Sequence, residues 1–408
     1  MKVALCGYPP FTLRVQEGLK NSNIEPKFFI RDFVSARGGD NFTTNLPPIN
    51  FFDFRRLIDA GELDGVIVAE NEQGIFMKQI LPLLKLYNIP NVIIINPFAP
   101  NLFNPLFALD AEKSFIPYLE ANLVDGCNLN CKGCTHFAAL FGKDEIYPLE
   151  TFRRDVRRLS QLADVYRFRL LGGEPLLLKN LDEYLRIART YLPKTGLRIV
   201  TNGLLIPSVS QKILDAIREN NFVVDISGYP PTMKIFDKIN EVLTSNGIRF
   251  LHTGAIKNFN VFLSSHSGNY PLKSRSICFD DGCRFLRDGK IYKCPVDALS
   301  YRLVEKFGVK NYPRATGIDI YAQNFSSLIQ MLDGNVEMCY WCSERSRQIP
   351  WTPTNNPRFE DWLADPDELK NFCFQIKNPS ASVGGFFYLQ SARRLIKFLR
   401  VPKIFSER

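Results

Sequence analysis

Three cysteines fall within eight residues, Cys127-Asn128-Leu129-Asn130-Cys131-Lys132-Gly133-Cys134, directly after a strand-like run, Leu119–Val124. No other feature constrains the chain as much, because this spacing obliges one loop at the end of a strand to gather three soft ligands. Three thiolates with no adjacent fourth suit a [4Fe–4S] cluster that leaves one iron open to a small-molecule chelate. A structural zinc site would want four protein ligands, and His136 is the nearby side chain that would complete one.

The residues around the triad alternate between the two regular periods. Pro148–Val165 places Phe152, Val156, Leu159 and Leu162 at intervals of three and four, a helix with one apolar face. Tyr166–Leu171 is strand-like, followed by helix-like Leu181–Tyr191, strand-like Leu197–Thr201, helix-like Pro207–Glu219 and strand-like Phe222–Ile226. A helix near Met233–Leu243 and strand-like Ile248–Leu251 complete the series. Strands alternating with helices in this way predict an α/β fold, a full or partial (β/α) barrel over residues 112–265, with its site in the loops at the strands' carboxyl ends. The triad occupies one such loop. Gly172-Gly173-Glu174-Pro175, Thr201-Asn202-Gly203 and Ser227-Gly228 occupy the next three. Glycines let a backbone approach a ligand closely, and an acid can accept hydrogen bonds from an ammonium group.

The C-x3-C-x2-C spacing after the first barrel strand resembles the signature of radical S-adenosylmethionine (SAM) enzymes, and the likeness extends through most of residues 115–265. The resemblance implies that the open iron binds the amino and carboxylate groups of SAM. Transfer of one electron would then release a 5′-deoxyadenosyl radical that takes a hydrogen atom from the substrate. Gly172-Gly173-Glu174-Pro175 looks like the family's GGEP motif, which holds the methionine amino group, with Glu174 as the side-chain contact. Asn202 and Ser227 stand where further polar SAM contacts are expected. There is one departure: many members carry an aromatic residue before the last cysteine, against the adenine, and here that position is Gly133. The resemblance then leaves His136 or Phe137 to make that contact.

Five more cysteines, Cys278, Cys283, Cys294, Cys339 and Cys342, follow the barrel, with Gly289 five residues before Cys294. Two distant ligand pairs closing one site predict a small metal-stapled module at residues 266–350. The pattern resembles the auxiliary-cluster modules called SPASM and its shorter form, twitch. Only Cys373 remains after Cys342, which favours the shorter form with a single auxiliary [4Fe–4S] cluster. Four of the five suffice, so Cys278 or Cys283 is spare, either structural or a hydrogen-atom donor. A zinc ribbon is the plainer alternative.

Residues 1–100 repeat strand-like and helix-like segments, with strands at Lys2–Cys6, Pro26–Ile30, Gly65–Ala69 and Asn91–Ile95, the pattern of a Rossmann-like domain. The first strand ends Cys6-Gly7-Tyr8-Pro9-Pro10, without the glycine spacing that admits a pyrophosphate, so Asp32 past the second strand makes a weak ribose ligand. In order of elements the segment loosely resembles Rossmann-like domains found ahead of sugar-modifying and methyl-transfer domains; a structural or docking role is expected. Pro97 to Ala111 reads as the linker. The first apolar run is too short for a signal peptide, and Pro97, Pro100 and Pro105 interrupt the most apolar later stretch. A cytoplasmic protein is expected, whose ten cysteines serve metal binding or redox work instead of disulfides.

The net charge of +9 would suit a phosphorylated or nucleotide-bearing partner, but it is spread out and accompanied by no groove-reading motif, so nucleic acid is not expected. In the extension over 351–408, Gln390–Phe405 sets Leu395, Ile396, Leu399 and Val401 among basic residues. This is expected to be a helix packed on the body, with a membrane surface or partner as the alternative. Single-cluster members of the family often act on sugars or cyclitols, which points to dehydrogenation or epimerisation of such a substrate and to a one-electron reductant such as flavodoxin or ferredoxin. A peptide-modifying enzyme is the rival. A non-catalytic iron–sulfur or zinc-binding scaffold is the alternative from another class. His252, His266 and Asp297 are expected in core or surface roles.

Overall fold

The computed structural model describes residues 1–7, 15–20, 22–31, 45–69, 75–95, 107–278, 282–309, 312–315 and 317–366. Among them, strands β1 (Lys2–Gly7), β2 (Glu25–Ile30), β3 (Pro48–Ile49), β4 (Gly65–Ala69), β5 (Val92–Ile95) and β6 (Phe107–Ala108) form one sheet in the order β3-β2-β1-β4-β5-β6. All neighbours pair in parallel except β6, which runs antiparallel on β5. Sequence runs such as Gly-Val-Ile-Val-Ala are continuously apolar because such a sheet is covered on both faces. Ala4, Cys6, Val66, Val68 and Ile94 pack with Phe54 of helix α1 (Phe51–Asp59) and Ile80 of helix α2 (Ile75–Leu86). Val3, Leu5, Ile67 and Ile93 face the other way, onto Val15 and Leu19. The expected Rossmann-like alternation is therefore present; Tyr8, Pro9, Pro10 and Asp32 lie outside the described residues.

The second sheet carries the cysteine triad. Strands β7 (Ser114–Val124), β8 (Ala163–Gly172), β9 (Gly196–Thr201), β10 (Val223–Ile226) and β11 (Phe250–His252) are neighbours in that order, all parallel. Helices α3 (Leu149–Leu162), α4 (Leu181–Tyr191), α5 (Gln211–Glu219) and α6 (Phe236–Ser245) alternate with them. Leu119, Ala121, Phe168, Leu170, Ile199 and Val224 form one core with Phe152, Val156, Tyr184, Ile213 and Ile239 of those helices. Among the described residues the sheet does not close on itself, as in a partial barrel.

The segment after residue 265 differs from the separate module expected of it. Strand β13 (Arg284–Arg287) pairs in parallel with β7, at Arg284 with Leu119, and is followed by antiparallel β14 (Lys290–Tyr292) and β15 (Ile318–Asp319). These three strands extend the barrel sheet, and Leu286, Ile291 and Ile320 join its core. The open edge of β7 offers unpaired backbone groups, and the hairpin satisfies them. Strand β12 (Asn258–Leu263) pairs antiparallel with β16 (Cys342–Pro350), and beneath lies a core of Phe137, Phe262, Phe285, Trp341, Phe359 and Trp362. The two sheets meet where Phe107 packs edge-on against Tyr166, with centroids 5.2 Å apart. No helix among the described residues is long and apolar enough to cross a membrane.

Candidate functional site

The cysteine loop leaves β7 and turns through Asn130 and Gly133, whose φ angles of 47° and 69° are left-handed. Cys127 and Cys131 are buried and Cys134 is half-buried. The Leu129 N–H donates to Cys127 Sγ at 3.4 Å, and the Trp351 indole N–H donates to Cys131 Sγ at 3.1 Å. Burial pushes the Cys127 thiol up to about 11 and Cys131 further, with Cys134 raising both and Cys127 raising Cys131. Three thiolates here are opposed by desolvation and mutual repulsion, a balance that a bound metal cation reverses. In donor chemistry and spacing the loop fits an iron–sulfur cluster. The side chains are not gathered into a cage: among the described residues no three Cys, His, Asp or Glu side chains form a ready metal site.

The next two loops are fastened to the first. A Cβ on Gly172 would lie 1.9 Å from the Val124 carbonyl oxygen, and one on Gly173 2.1 Å from that of Gly126. The glycines thus let the β8 loop touch the β7 loop, where Gly173 N–H donates to Val124 O at 2.8 Å and Glu174 N–H to Gly126 O at 3.1 Å. Glu174 is fully buried. Its Oε1 accepts from the Thr201 hydroxyl (2.7 Å) and Leu176 N–H (3.0 Å), and its Oε2 from Asn202 N–H (2.9 Å). Burial raises this carboxyl to about 7, against the pull of those bonds. Both oxygens are thus engaged between loops, and Pro175 begins the short turn that follows.

Asn202 completes the joint. Its amide Nδ2 donates to Asn128 Oδ1 at 2.6 Å and lies 3.8 Å from Cys127 Sγ, while its Oδ1 accepts from Leu204 N–H at 3.0 Å. Ser227 N–H donates to Thr201 O at 2.9 Å, placing the β10 loop beside the β9 loop. The triad, residues 172–175, Asn202 and Ser227 therefore share one edge of the sheet.

Sequence reasoning missed Tyr229, whose hydroxyl is pushed up by burial and by Cys131, Cys134 and Cys127. It also missed the polar inner face of the sheet. Tyr118 Oη donates to Glu120 at 2.7 Å; Arg169 reaches Glu120 and Asp225, both at 3.1 Å; Arg198 reaches Asp225 at 2.9 Å. His136 Nδ1 stands 2.9 Å from Asn122 Oδ1, and burial lowers its ring toward the neutral form. The signal was available as strict alternation, since Tyr118, Glu120 and Asn122 interleave with Leu119, Ala121 and Leu123. Of the two side chains offered for the adenine contact, His136 is held in this network and Phe137 is fully buried against Trp362.

Cys278, Cys294, Cys339 and Cys342 line one cavity together with Arg275 and Lys293. Burial raises the Cys339 thiol, and Lys293 and Arg275 offset part of that rise. Cys283 does not line this cavity; it is buried beside Tyr118. No disulfide joins the nine described cysteines, and Cys6 is buried in the N-terminal core. Asp297 is buried near Cys294, its N–H 3.4 Å from that sulfur, and burial raises its carboxyl to about 6. His252 packs on Phe236 and His266 is turned toward the Ser267 carbonyl. Cys373 and Gln390–Phe405 lie outside the described residues.

Residues 121–241 match the family model described as "Radical SAM superfamily". Curated relatives include the GTP 3′,8-cyclase of Sulfurimonas denitrificans, 26% identical over 147 residues, covering 33% of this chain and 46% of that protein. The GTP 3′,8-cyclase of Pelotomaculum thermopropionicum is 34% identical over 109 residues, covering 26% of this chain and 33% of that protein. The chain thus spans less than half the length of these relatives. Among solved structures, BtrN in complex with AdoMet and 2-DOIA aligns at 16% identity and a TM-score of 0.34, over 62% of this chain and all (100%) of that one. Streptococcus suis SuiB bound to the precursor peptide SuiA aligns at 16% identity and a TM-score of 0.33, over 57% and 70%.

Proposed function

We propose that this chain, whose residues 121–241 are a domain of the radical SAM superfamily, cleaves SAM reductively at a [4Fe–4S] cluster held by Cys127, Cys131 and Cys134 and takes a hydrogen atom from a small hydroxylated substrate. When bound, the cluster supplies one electron to SAM, whose carbon–sulfur bond breaks to give methionine and a 5′-deoxyadenosyl radical. The observation that carries this reading is the joint between the first three loops, in which Asn202 bridges to Asn128 and Cys127 and Glu174 ties residues 172–175 to Thr201 and Asn202. Thiolates and polar backbone are thereby held on one rigid edge. Residues Gly172 to Pro175, Asn202 and Ser227 frame the SAM side of that edge. In this role Glu174 positions the loops through its three bonds, and Oε2, which accepts one of them, keeps acceptor capacity for the SAM amino group.

Cys278, Cys294, Cys339 and Cys342 are the ligands proposed for an auxiliary [4Fe–4S] cluster, supported by their shared cavity and its two cations. Cys283 is the spare thiol. The polar inner face, where Glu120, Asn122, His136, Arg169 and Asp225 carry donors and acceptors now bonded among themselves and their neighbours, is the surface proposed for a sugar or cyclitol substrate. An auxiliary cluster, when bound, would take the electron left as the substrate radical loses a proton, giving dehydrogenation; a thiol that returns a hydrogen atom would give epimerisation, and Cys283, buried near Tyr118, is the thiol proposed for it.

The test is anaerobic reconstitution with iron and sulfide, addition of dithionite and SAM, and measurement of 5′-deoxyadenosine from wild type and Cys131→Ala. Production that disappears in the variant is the expected result. Absence of production from a wild type carrying a full complement of iron would leave the scaffold reading in its place. The substrate panel should hold sugars, cyclitols and GTP, the last because the curated relatives are named for it.

A further inference from the structure

After β16 the chain runs back across the cysteine loop. Thr354 N–H donates to Asn130 O at 2.9 Å, Lys132 N–H donates to Thr352 O at 3.0 Å, and Cys131 and Pro353 form an antiparallel bridge. Further along, the Trp362 indole N–H donates to the Cys134 carbonyl at 2.8 Å, and Lys132 pairs with Asp361 at 3.6 Å. The fit is close: a Cβ on Gly133 would lie 2.5 Å from a Val261 methyl and 3.0 Å from Ile349 Cδ1. The strap is anchored at its other end too, because β16 begins at Cys342, in the wall of the second cysteine site.

Within this strap Trp351 is the residue that touches a sulfur. Its backbone N–H donates to Lys257 O at 2.9 Å, and its ring stacks on Tyr229 with centroids 5.7 Å apart and planes 18° from parallel. Two contacts thus fix the indole, leaving its N–H aimed at Cys131 Sγ from 3.1 Å. Indole nitrogen is a donor and never an acceptor, so the positive end of its dipole always faces the sulfur. Such a bond favours whichever state of a thiolate-ligated group carries more negative charge, and burial strengthens it.

We infer that Trp351 is a positioning residue that holds the Cys131 sulfur and sets how readily the cluster on residues 127–134 accepts its electron. This rests on the proposed function, in that Cys131 must be a cluster ligand. The strap explains why the loop can dispense with a side chain at Gly133: the space is taken by the strand pair that delivers Trp351.

The experiment is a potentiometric titration of the full, reconstituted chain, followed by electron paramagnetic resonance, for wild type, Trp351→Phe and Trp362→Phe. The signal that changes on adding SAM identifies the cluster concerned. Trp351→Phe keeps the stacked ring and removes the N–H; its equilibrium constant for one-electron reduction should fall about tenfold, equivalent to about 59 mV more negative, at unchanged iron content. Trp362→Phe loses a bond to a carbonyl instead of a sulfur and should leave the potential at the wild-type value. An unshifted potential in Trp351→Phe, or an equal shift in both variants, overturns the inference. A wild type with bound iron but no SAM-responsive signal overturns the proposed function beneath it, which is a distinguishable failure.

Discussion

Glu174 is where residue-scale chemistry has the clearest consequence. Its folded pKa of about 7 stands above the ordinary 4.5, so between those values the folded protein holds a proton that the unfolded chain has released. Stability contributed by the neutral carboxyl is whole below pH 4.5 and is lost as pH rises through about 7. Glu174→Gln cannot titrate. Chemical denaturation of the two proteins across this window should show the wild type losing up to about 3 kcal/mol relative to the variant; parallel curves would remove the buried-carboxyl account. The cysteines give a second test at this scale. Cys342→Ala should lower bound iron after reconstitution by about one cluster's worth, whereas Cys283→Ala should leave it unchanged, because only the former lines the cavity with Cys278, Cys294 and Cys339. Sequence spacing left Cys278 and Cys283 equivalent; five residues apart, they face different surroundings because β13 begins just after Cys283 and carries it to β7.

At the scale of elements, the alternating helices and strands up to residue 252 were legible because each writes its own period into the sequence, whereas β12 (Asn258–Leu263), which pairs with β16 outside the barrel sheet, was not expected. Leu181–Tyr191 coincides with helix α4, and the strand expected at Tyr166–Leu171 extends to Ala163–Gly172. The helix expected over Pro148–Val165 ends earlier, at Leu162, because β7 and β8 begin their ladder at Ser114 and Ala163 and claim those backbone groups. What periodicity could not carry is pairing: β13 is four residues long, and nothing in Arg-Phe-Leu-Arg announces β7 as its partner. The approach of the β7 and β8 loops belongs to this scale as well. Gly173→Ala forces a Cβ into the Gly126 carbonyl, with no flexible neighbour to give way. We expect a loss of about 2–4 kcal/mol by thermal or chemical denaturation and loss of iron from the first site; a stable, iron-replete variant would show that the loops can separate.

At the scale of the molecule, the two sheets are held together around Phe107, which is almost wholly buried and packs on Tyr166, while Asp110 N–H donates to Asp164. Phe107→Ala should cost about 3–5 kcal/mol and lower the melting temperature, yet leave 5′-deoxyadenosine formation per bound iron unchanged below the transition, since the contact is remote from the cysteine loop. Loss of the proposed SAM cleavage in a folded Phe107→Ala protein would mean that the N-terminal sheet takes part in the site. The sequence by itself determined the α/β alternation, the cysteine loop and the succession of loops bearing Gly172–Pro175, Asn202 and Ser227, because each is written in neighbouring residues by period or by spacing. Only the tertiary structure decided which four later cysteines share a cavity, that Glu174 accepts hydrogen bonds from two neighbouring loops, and that Trp351 meets Cys131 across 220 positions of chain. Those contacts depend on strand register and on close packing between distant segments, and an indole or a carboxylate carries no local mark of the partner that folding will bring to it.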